Sequence, residues 1–136
     1  MALNTQMADA TVNVQADAMA ALCNGGFIDV YDGAQAATAD TALGTQVLGV
    51  SLTLNATAFA AAVSGLLTAN AITAGVAGNA ITPTWARVYR SNHTTVVMDV
   101  SAGASGANLT IGAFTAGTTV SATSFTHDVR NATTGI

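Results

Sequence analysis

The sequence predicts a mainly β protein: an antiparallel β-sandwich, jelly-roll-like, with one N-terminal α-helix. Three observations carry that expectation. Residues 11–23 have helical periodicity, and Asn24-Gly25-Gly26 follows as a stop signal. From Phe27 onward the apolar spacing becomes two. Turn chemistry then divides the rest into about seven or eight short runs, the spacing of a sandwich or barrel.

Within residues 11–23, Val14, Ala18, Ala21 and Leu22 stand at i, i+4, i+7 and i+8 and form the predicted inward face. Residues 1–10 show no periodicity and are expected to form an extended arm. Residues 27–31 are a short strand ended by Asp32-Gly33, and 34–46 a Thr/Ala/Gly loop. Residues 47–54 alternate, with Leu48, Val50, Leu52 and Leu54 inward and Gly49, Ser51 and Thr53 outward. Residues 58–67 suit a helix by their alanines, whereas Val63-Ser64-Gly65 suits a strand running into a turn. Residues 70–83 read as strand fragments and loop.

Residues 84–90 and 94–100 form a hairpin through Ser91-Asn92-His93. Ala86 and Val88 share one face, and Trp85, Arg87 and Tyr89 the other. Residues 101–106 are a glycine-rich connection. Residues 108–111 form a short strand and 118–129 a longer one, with a polar tail after it. No internal repeat or linker divides the chain, so one domain is expected over 11–130, flanked by the arm 1–10 and the tail 131–136.

The chain of 136 residues contains no lysine and no glutamate. Its charges are Asp9, Asp17, Asp29, Asp32, Asp40, Asp99 and Asp128 with Arg87, Arg90 and Arg130. An ordinary domain carries roughly a quarter charged residues and uses them to stay apart from its neighbours. Three arginines at a net charge of −4 cannot supply a nucleic-acid footprint, so no nucleic-acid partner is expected. No run long enough to span a bilayer occurs, and no membrane partner is expected. The N-terminus lacks the basic and apolar regions of a secretory signal, which suggests synthesis in the cytoplasm. A single cysteine excludes an internal disulfide framework. The Asn-x-Ser/Thr sequons at Asn55, Asn92, Asn108 and Asn131 are read as chance in a threonine-rich chain.

No combination of residues reads as catalytic, cofactor-binding or metal-binding. His93 and His127 would need a third converging ligand, and Cys23 belongs to the helix, where it reads as a small buried apolar residue. Asp29, Asp32 and Asp40 could meet near one strand end, but Asp32-Gly33 and Asp40 are better read as turn residues. Asp29 and Asp99 as paired acids give way to a simpler reading, an exposed strand salt bridge to Arg87 or Arg90. Gly75-Val76-Ala77-Gly78 and Gly103-Ala104-Ser105-Gly106 lack the lysine of a phosphate loop and do not lead into a helix. Trp85 and Tyr89 could form a sugar-stacking platform; core or interface is the commoner role for such aromatics.

The order of motifs carries a resemblance. Leu22-Cys23-Asn24-Gly25-Gly26 runs into Phe27-Ile28-Asp29-Val30-Tyr31-Asp32-Gly33-Ala34-Gln35. Ala39-Asp40-Thr41-Ala42, Ala69-Asn70-Ala71-Ile72-Thr73 and Thr84-Trp85-Ala86-Arg87 follow, then Ser105-Gly106-Ala107-Asn108-Leu109 and Ser124-Phe125-Thr126. Over residues 14–128 this resembles a family of small tailed-bacteriophage virion proteins, similar in character to capsid cement or decoration proteins. Ala36 and Asn108 stand where such proteins often carry proline and aspartate.

The resemblance implies a non-enzymatic structural protein on the capsid exterior. It would bind and stabilise the lattice of the major capsid protein and associate with itself as a homodimer or trimer. The expected contacts are Leu3, Met7, Val12 and Val14 from the N-terminal region, with Arg87, Arg90 and Arg130 setting register. The alternative is a tail- or fibre-associated module that recognises a host surface glycan through Trp85 and Tyr89.

Overall fold

The structure, a computed structural model, describes residues 6–129. Leu3, Arg130 and the tail 131–136 therefore lie outside the described residues. The chain is mainly β with one N-terminal helix, as its periodicity predicts, and its strands form a sandwich-like arrangement.

Helix α1 spans Asp9–Leu22, so the last two residues of the expected arm belong to it. Its buried stripe is Val12, Ala16 and Ala20, continued by Cys23. This corrects the predicted face: Ala18 and Ala21 are exposed, Leu22 is partly exposed, and Val14 is 69% exposed. The physical reason is that the stripe at i, i+4 and i+8 beginning with Val12 is as regular as the predicted one, so hydrogen bonds at neighbouring helix positions decide which face turns inward. Two side-chain acceptors fix the docking: the amide of Gly65 donates to Asn13 Oδ1 and that of Ala62 to Asp17 Oδ1, each at 2.9 Å.

Gly25 takes the left-handed conformation at φ +65° and ends the helix as Asn24-Gly25-Gly26 predicts. Gly26 is needed for a different reason, because a Cβ there would overlap the carbonyl oxygen of Tyr89.

The strands are β1 Phe27–Tyr31, β2 Leu48–Thr53, β3 Leu66–Thr68, β4 Gly75–Val76, β5 Trp85–Tyr89, β6 Val96–Gly103, β7 Leu109–Thr110, β8 Thr119–Val120 and β9 Ser124–Asp128. Seven of them form one sheet in the order β2-β1-β5-β6-β7-β9-β3, and β4 pairs with β8. Among the described residues all pairs are antiparallel except β6 with β7, where the expected antiparallel pattern does not hold. The large sheet curls. After β3, Thr73 exchanges backbone hydrogen bonds with Thr53 at the end of β2 (2.8 and 3.2 Å), which brings the sheet's two edge regions together.

The curl encloses one connected core that includes Ile28, Val30, Val50, Leu52, Leu67, Val88, Leu109 and Phe125, and the helix adds Ala16, Ala20 and Cys23. Gly75 lets β4 lie against β2, since a Cβ there would overlap the carbonyl of Ser51.

Two strand expectations change. Residues 118–129 are not one strand: Thr119–Val120 pairs with β4, whereas Ser124–Asp128 pairs with β7 and β3. The chain switches sheets across 121–123. In β2 an irregularity opposite Val30 and Tyr31 breaks the alternation. Leu48 is therefore 40% exposed, while Gly49 faces Ile81 and Phe114.

Candidate functional site

Alternation in β1, β5 and β6 sends one set of side chains to the core and the other to the outer face of the sheet. On that outer face the register aligns Asp29 with Arg87, and Arg87 with Asp99, in a single row. Phe27 and Tyr31 flank the row on β1, and Trp85 and Tyr89 flank it on β5. A half-solvated sheet would leave this face wet, yet all five residues of β5 are buried. The loop between β1 and β2 covers it.

Arg87 holds the loop. Its Nε and Nη2 donate to Asp99 Oδ1 and Oδ2 at 2.7 and 2.9 Å, a bidentate pair. Its Nη1 donates to the carbonyl of Thr41 at 2.8 Å and its Nη2 to that of Thr38 at 3.3 Å. Arg87 is 3% exposed. The hydrogen bonding it donates to Asp99 is the main cause that raises its pKa above the ordinary value, against the effect of burial. The guanidinium also lies 5.5 Å from the centre of the Trp85 ring, which stacks on Tyr31 at 4.8 Å. Burial first, then the charge of Asp29, pushes the Tyr31 hydroxyl upward. The expected Arg87–Asp99 pair is thus formed, but it is buried and not exposed. The loop supplies two backbone acceptors that complete its hydrogen bonding.

Asp29 ends the row. Its Oδ1 accepts from Ser51 Oγ at 2.6 Å and bonds to His93 Nε2 at 2.8 Å. His93 occupies the hairpin turn at φ +57°, stacks on Phe27 at 4.2 Å and meets Tyr89 edge-on at 5.2 Å. The serine, aspartate and histidine do not form a nucleophile triad. There the histidine stands between the other two and takes the serine's proton. Here aspartate is in the middle and holds both the serine and the histidine, so the arrangement ties the turn to β1 and β2. Sequence reading missed this contact, although the outward parity of Asp29 and Ser51 on adjacent strands was a signal for it.

Other candidates are equally committed. Asp32 Oδ1 accepts from the amide of Val47, closing the covering loop. Burial pushes the Cys23 thiol up to about 11, which keeps it protonated. Burial lowers the pKa of His127. No group of three or more His, Cys, Asp or Glu able to hold a metal occurs among the described residues. No helix among them is long and apolar enough to cross a membrane. A hollow of about 490 Å³ lies beside the covering loop, bordered by Asp40, Leu43, Arg87, Tyr89 and Thr95.

The predicted contact residues separate into three groups. Met7 and Val14 are exposed at 49% and 69%, and Arg90 is exposed at the hairpin. Val12, 1% exposed under the helix, and Arg87, held by Asp99 and the loop, are corrected: neither can reach a partner surface. Leu3 and Arg130 lie outside the described residues. Trp85 and Tyr89 are 1% and 9% exposed, so the covering loop removes the open ring faces that a sugar platform needs.

Comparison with known proteins adds no relative: no family model, curated protein or solved structure matches the chain.

Proposed function

We propose that this chain is a non-enzymatic structural protein of a bacteriophage virion, a capsid decoration protein that binds the outside of the major capsid protein lattice and stabilises it. One observation carries the reading: the surface around α1 presents large apolar side chains, and the carboxylate beside them, Asp17, is engaged with the amide of Ala62. Val14 lies between the gripping residues Asn13 and Asp17, and Val63 between the gripped amides of Ala62 and Gly65. These two valines are 69% and 71% exposed, and Leu66 and Met7 are 42% and 49% exposed. Apolar area of this kind on a charge-poor protein favours association. Self-association as a dimer or trimer would bury part of it, and the capsid the rest.

The polar groups that might have run chemistry are engaged in holding the covering loop and the hairpin. The glycan-binding alternative loses its stacking face with Trp85 and Tyr89 buried.

The test is reconstitution. Purified protein is mixed with capsids lacking it, and bound copies are counted by quantitative gel or averaged electron microscopy. Occupancy that saturates at a lattice-defined ratio supports the reading. Val14→Asp with Val63→Asp should then lower occupancy at least about tenfold, since burying two unpaired carboxylates is strongly unfavourable. Its circular dichroism should stay unchanged. Absence of capsid binding, or association with tails alone, overturns the proposal.

A further inference from the structure

The segment that covers the outer face of β1 and β5 buries nothing of its own. Residues 33–46 run from Asp32, just after β1, to Val47, just before β2, and no residue among them is buried. Their one large apolar side chain, Leu43, is 40% exposed. Beneath them Tyr31, Trp85, Arg87 and Tyr89 are all buried.

Hydrogen bonds therefore hold the segment, and they fall into two groups. At its neck the amide of Asp32 donates to the carbonyl of Val47 at 3.3 Å, and the amide of Val47 donates to Asp32 Oδ1 at 3.2 Å. Thr84 Oγ1 donates to the carbonyl of Gly33 at 2.7 Å, and Gln46 Nε2 to that of Ala34 at 3.0 Å. A loop of this length with its ends drawn together is an Ω-loop. The body of the loop, by contrast, is hydrogen-bonded to the sheet only through Arg87 among the described residues. Its bonds there are the ones to the carbonyls of Thr41 and Thr38.

Arg87 can release those carbonyls without losing its charge partner. Nε and Nη2 stay on Asp99 whether the loop is present or not, and water can replace the two carbonyls. No buried charge is left alone by the movement, which is the cost that would otherwise forbid it.

Closure also leaves one group unsatisfied. The indole Nε1 of Trp85 is buried and has no hydrogen-bond partner. A donor in that state has lost its water and gained no acceptor, so hydration favours the open form.

We infer that residues 33–46 form a lid, hinged at the Asp32–Val47 neck and latched by Arg87, which opens while the sheet beneath stays folded. Opening uncovers the stacked rings of Tyr31 and Trp85 with the guanidinium of Arg87 beside them. Closure withholds that face, because two carbonyls of the lid occupy the guanidinium and the rings lie underneath. Segments held by surface hydrogen bonds, with few buried apolar contacts, open at lower free energy than the elements they cover. The lid is independent of any binding to capsids.

Hydrogen exchange of the intact, isotope-labelled protein, followed by NMR, tests the lid. The chain has one tryptophan, so its indole N–H gives a single resonance. The amide of Thr41, which donates to the carbonyl of Thr38 inside the loop, reports the lid body. The amide of Ala86, on a strand paired on both sides, reports the sheet. The Trp85 indole and the Thr41 amide should each have a protection factor at least about a hundredfold below that of Ala86, since local opening precedes global unfolding. A second arm deletes residues 37–43, joining Ala36 to Gly44 and keeping every bond of the neck. The shortened chain should unfold cooperatively with unchanged circular dichroism, and its Trp85 emission should shift to the red and become open to quenching by acrylamide.

Four results overturn the lid. They are an indole as protected as Ala86, a Thr41 amide as protected as Ala86, a shortened chain that does not fold, and a shortened chain that folds with Trp85 still shielded.

Discussion

Replacing Asp99 with asparagine keeps the shape of the side chain and removes the charge that accompanies Arg87. The guanidinium would remain 3% exposed with two carbonyls, those of Thr38 and Thr41, and no carboxylate. Removing one member of a buried ion pair costs about 3–5 kcal/mol, because the other charge is left without compensation. A domain of this kind has about 5–15 kcal/mol in total, so the loss is a large share. With a urea m-value of about 2 kcal/mol/M, the unfolding midpoint of Asp99→Asn should fall by about 2 M. Equilibrium unfolding followed by Trp85 fluorescence measures it, with the m-value as a check that the transition is unchanged in kind. A fall under about 0.5 M would place the pair among exposed salt bridges, worth at most about 1 kcal/mol, and would refute the buried geometry. Arg87→Met with Asp99→Leu separates the two roles of the arginine. No orphan charge remains, so most of the midpoint should return, yet the loop carbonyls lose their donor. Amide exchange should then quicken at 38–43 while the strands stay protected.

Further outcomes follow from single contacts. Gly75→Ala should destabilise the protein by about 1–3 kcal/mol, because its Cβ meets the backbone of Ser51 and the strands must separate; urea unfolding measures it. Cys23, fully buried with its thiol held near 11, should react with an aromatic disulfide only as fast as the protein opens, and a rate near that of free cysteine would refute its burial. Burial lowers the pKa of His127 in the folded state below its ordinary 6.5. The unfolded chain therefore binds the proton more readily, and stability should fall as pH drops through 6.5 toward the folded value. A His127→Gln variant should lose that part of the slope, which thermal melts between pH 7 and pH 5 would show.

The strands were legible wherever one face met the core and the other met anything else, because alternation does not depend on what the second face touches. Alternation for this reason locates the strands at Phe27–Tyr31 and Trp85–Tyr89 and sets Trp85, Arg87 and Tyr89 on one face. What alternation could not show is that a loop without periodicity returns over that face. The fact sits in four hydrogen bonds from Arg87, two of them to carbonyls of Thr38 and Thr41, and any residue type would offer those carbonyls. The helix failed in the opposite way. Two apolar stripes compete on it, and the hydrogen bonds that Asn13 and Asp17 accept from the amides of Gly65 and Ala62 turn Val12, Ala16, Ala20 and Cys23 inward and leave Val14 and Leu22 outside. The sheet switch at 121–123 was illegible because each half alternates properly and only the partner strands differ.

Scarcity of charge has an unexpected consequence for where the charges go. A chain with many lysines and glutamates can leave most of them in water and still fold. Here one of three arginines and two of seven aspartates form a row on the sheet's outer face, where Asp29 and Arg87 are buried and the Arg87–Asp99 ion pair is almost wholly so. That row fixes the position of a long covering loop, which packing of small threonine and alanine side chains would define poorly. The cost falls on the outside, where Val14, Val63 and Val76 stand about 70% exposed and the β6 edge has no lysine to keep a strand away. A monomer built this way is exposed to association both through its apolar side chains and through its backbone edge. Under the proposed role in an assembly, the two surfaces would act differently. Burial of side chains around α1 would give adhesion with little demand on orientation, whereas pairing along a strand edge would fix direction and register. An assembly partner that used both would be held at one angle to this chain.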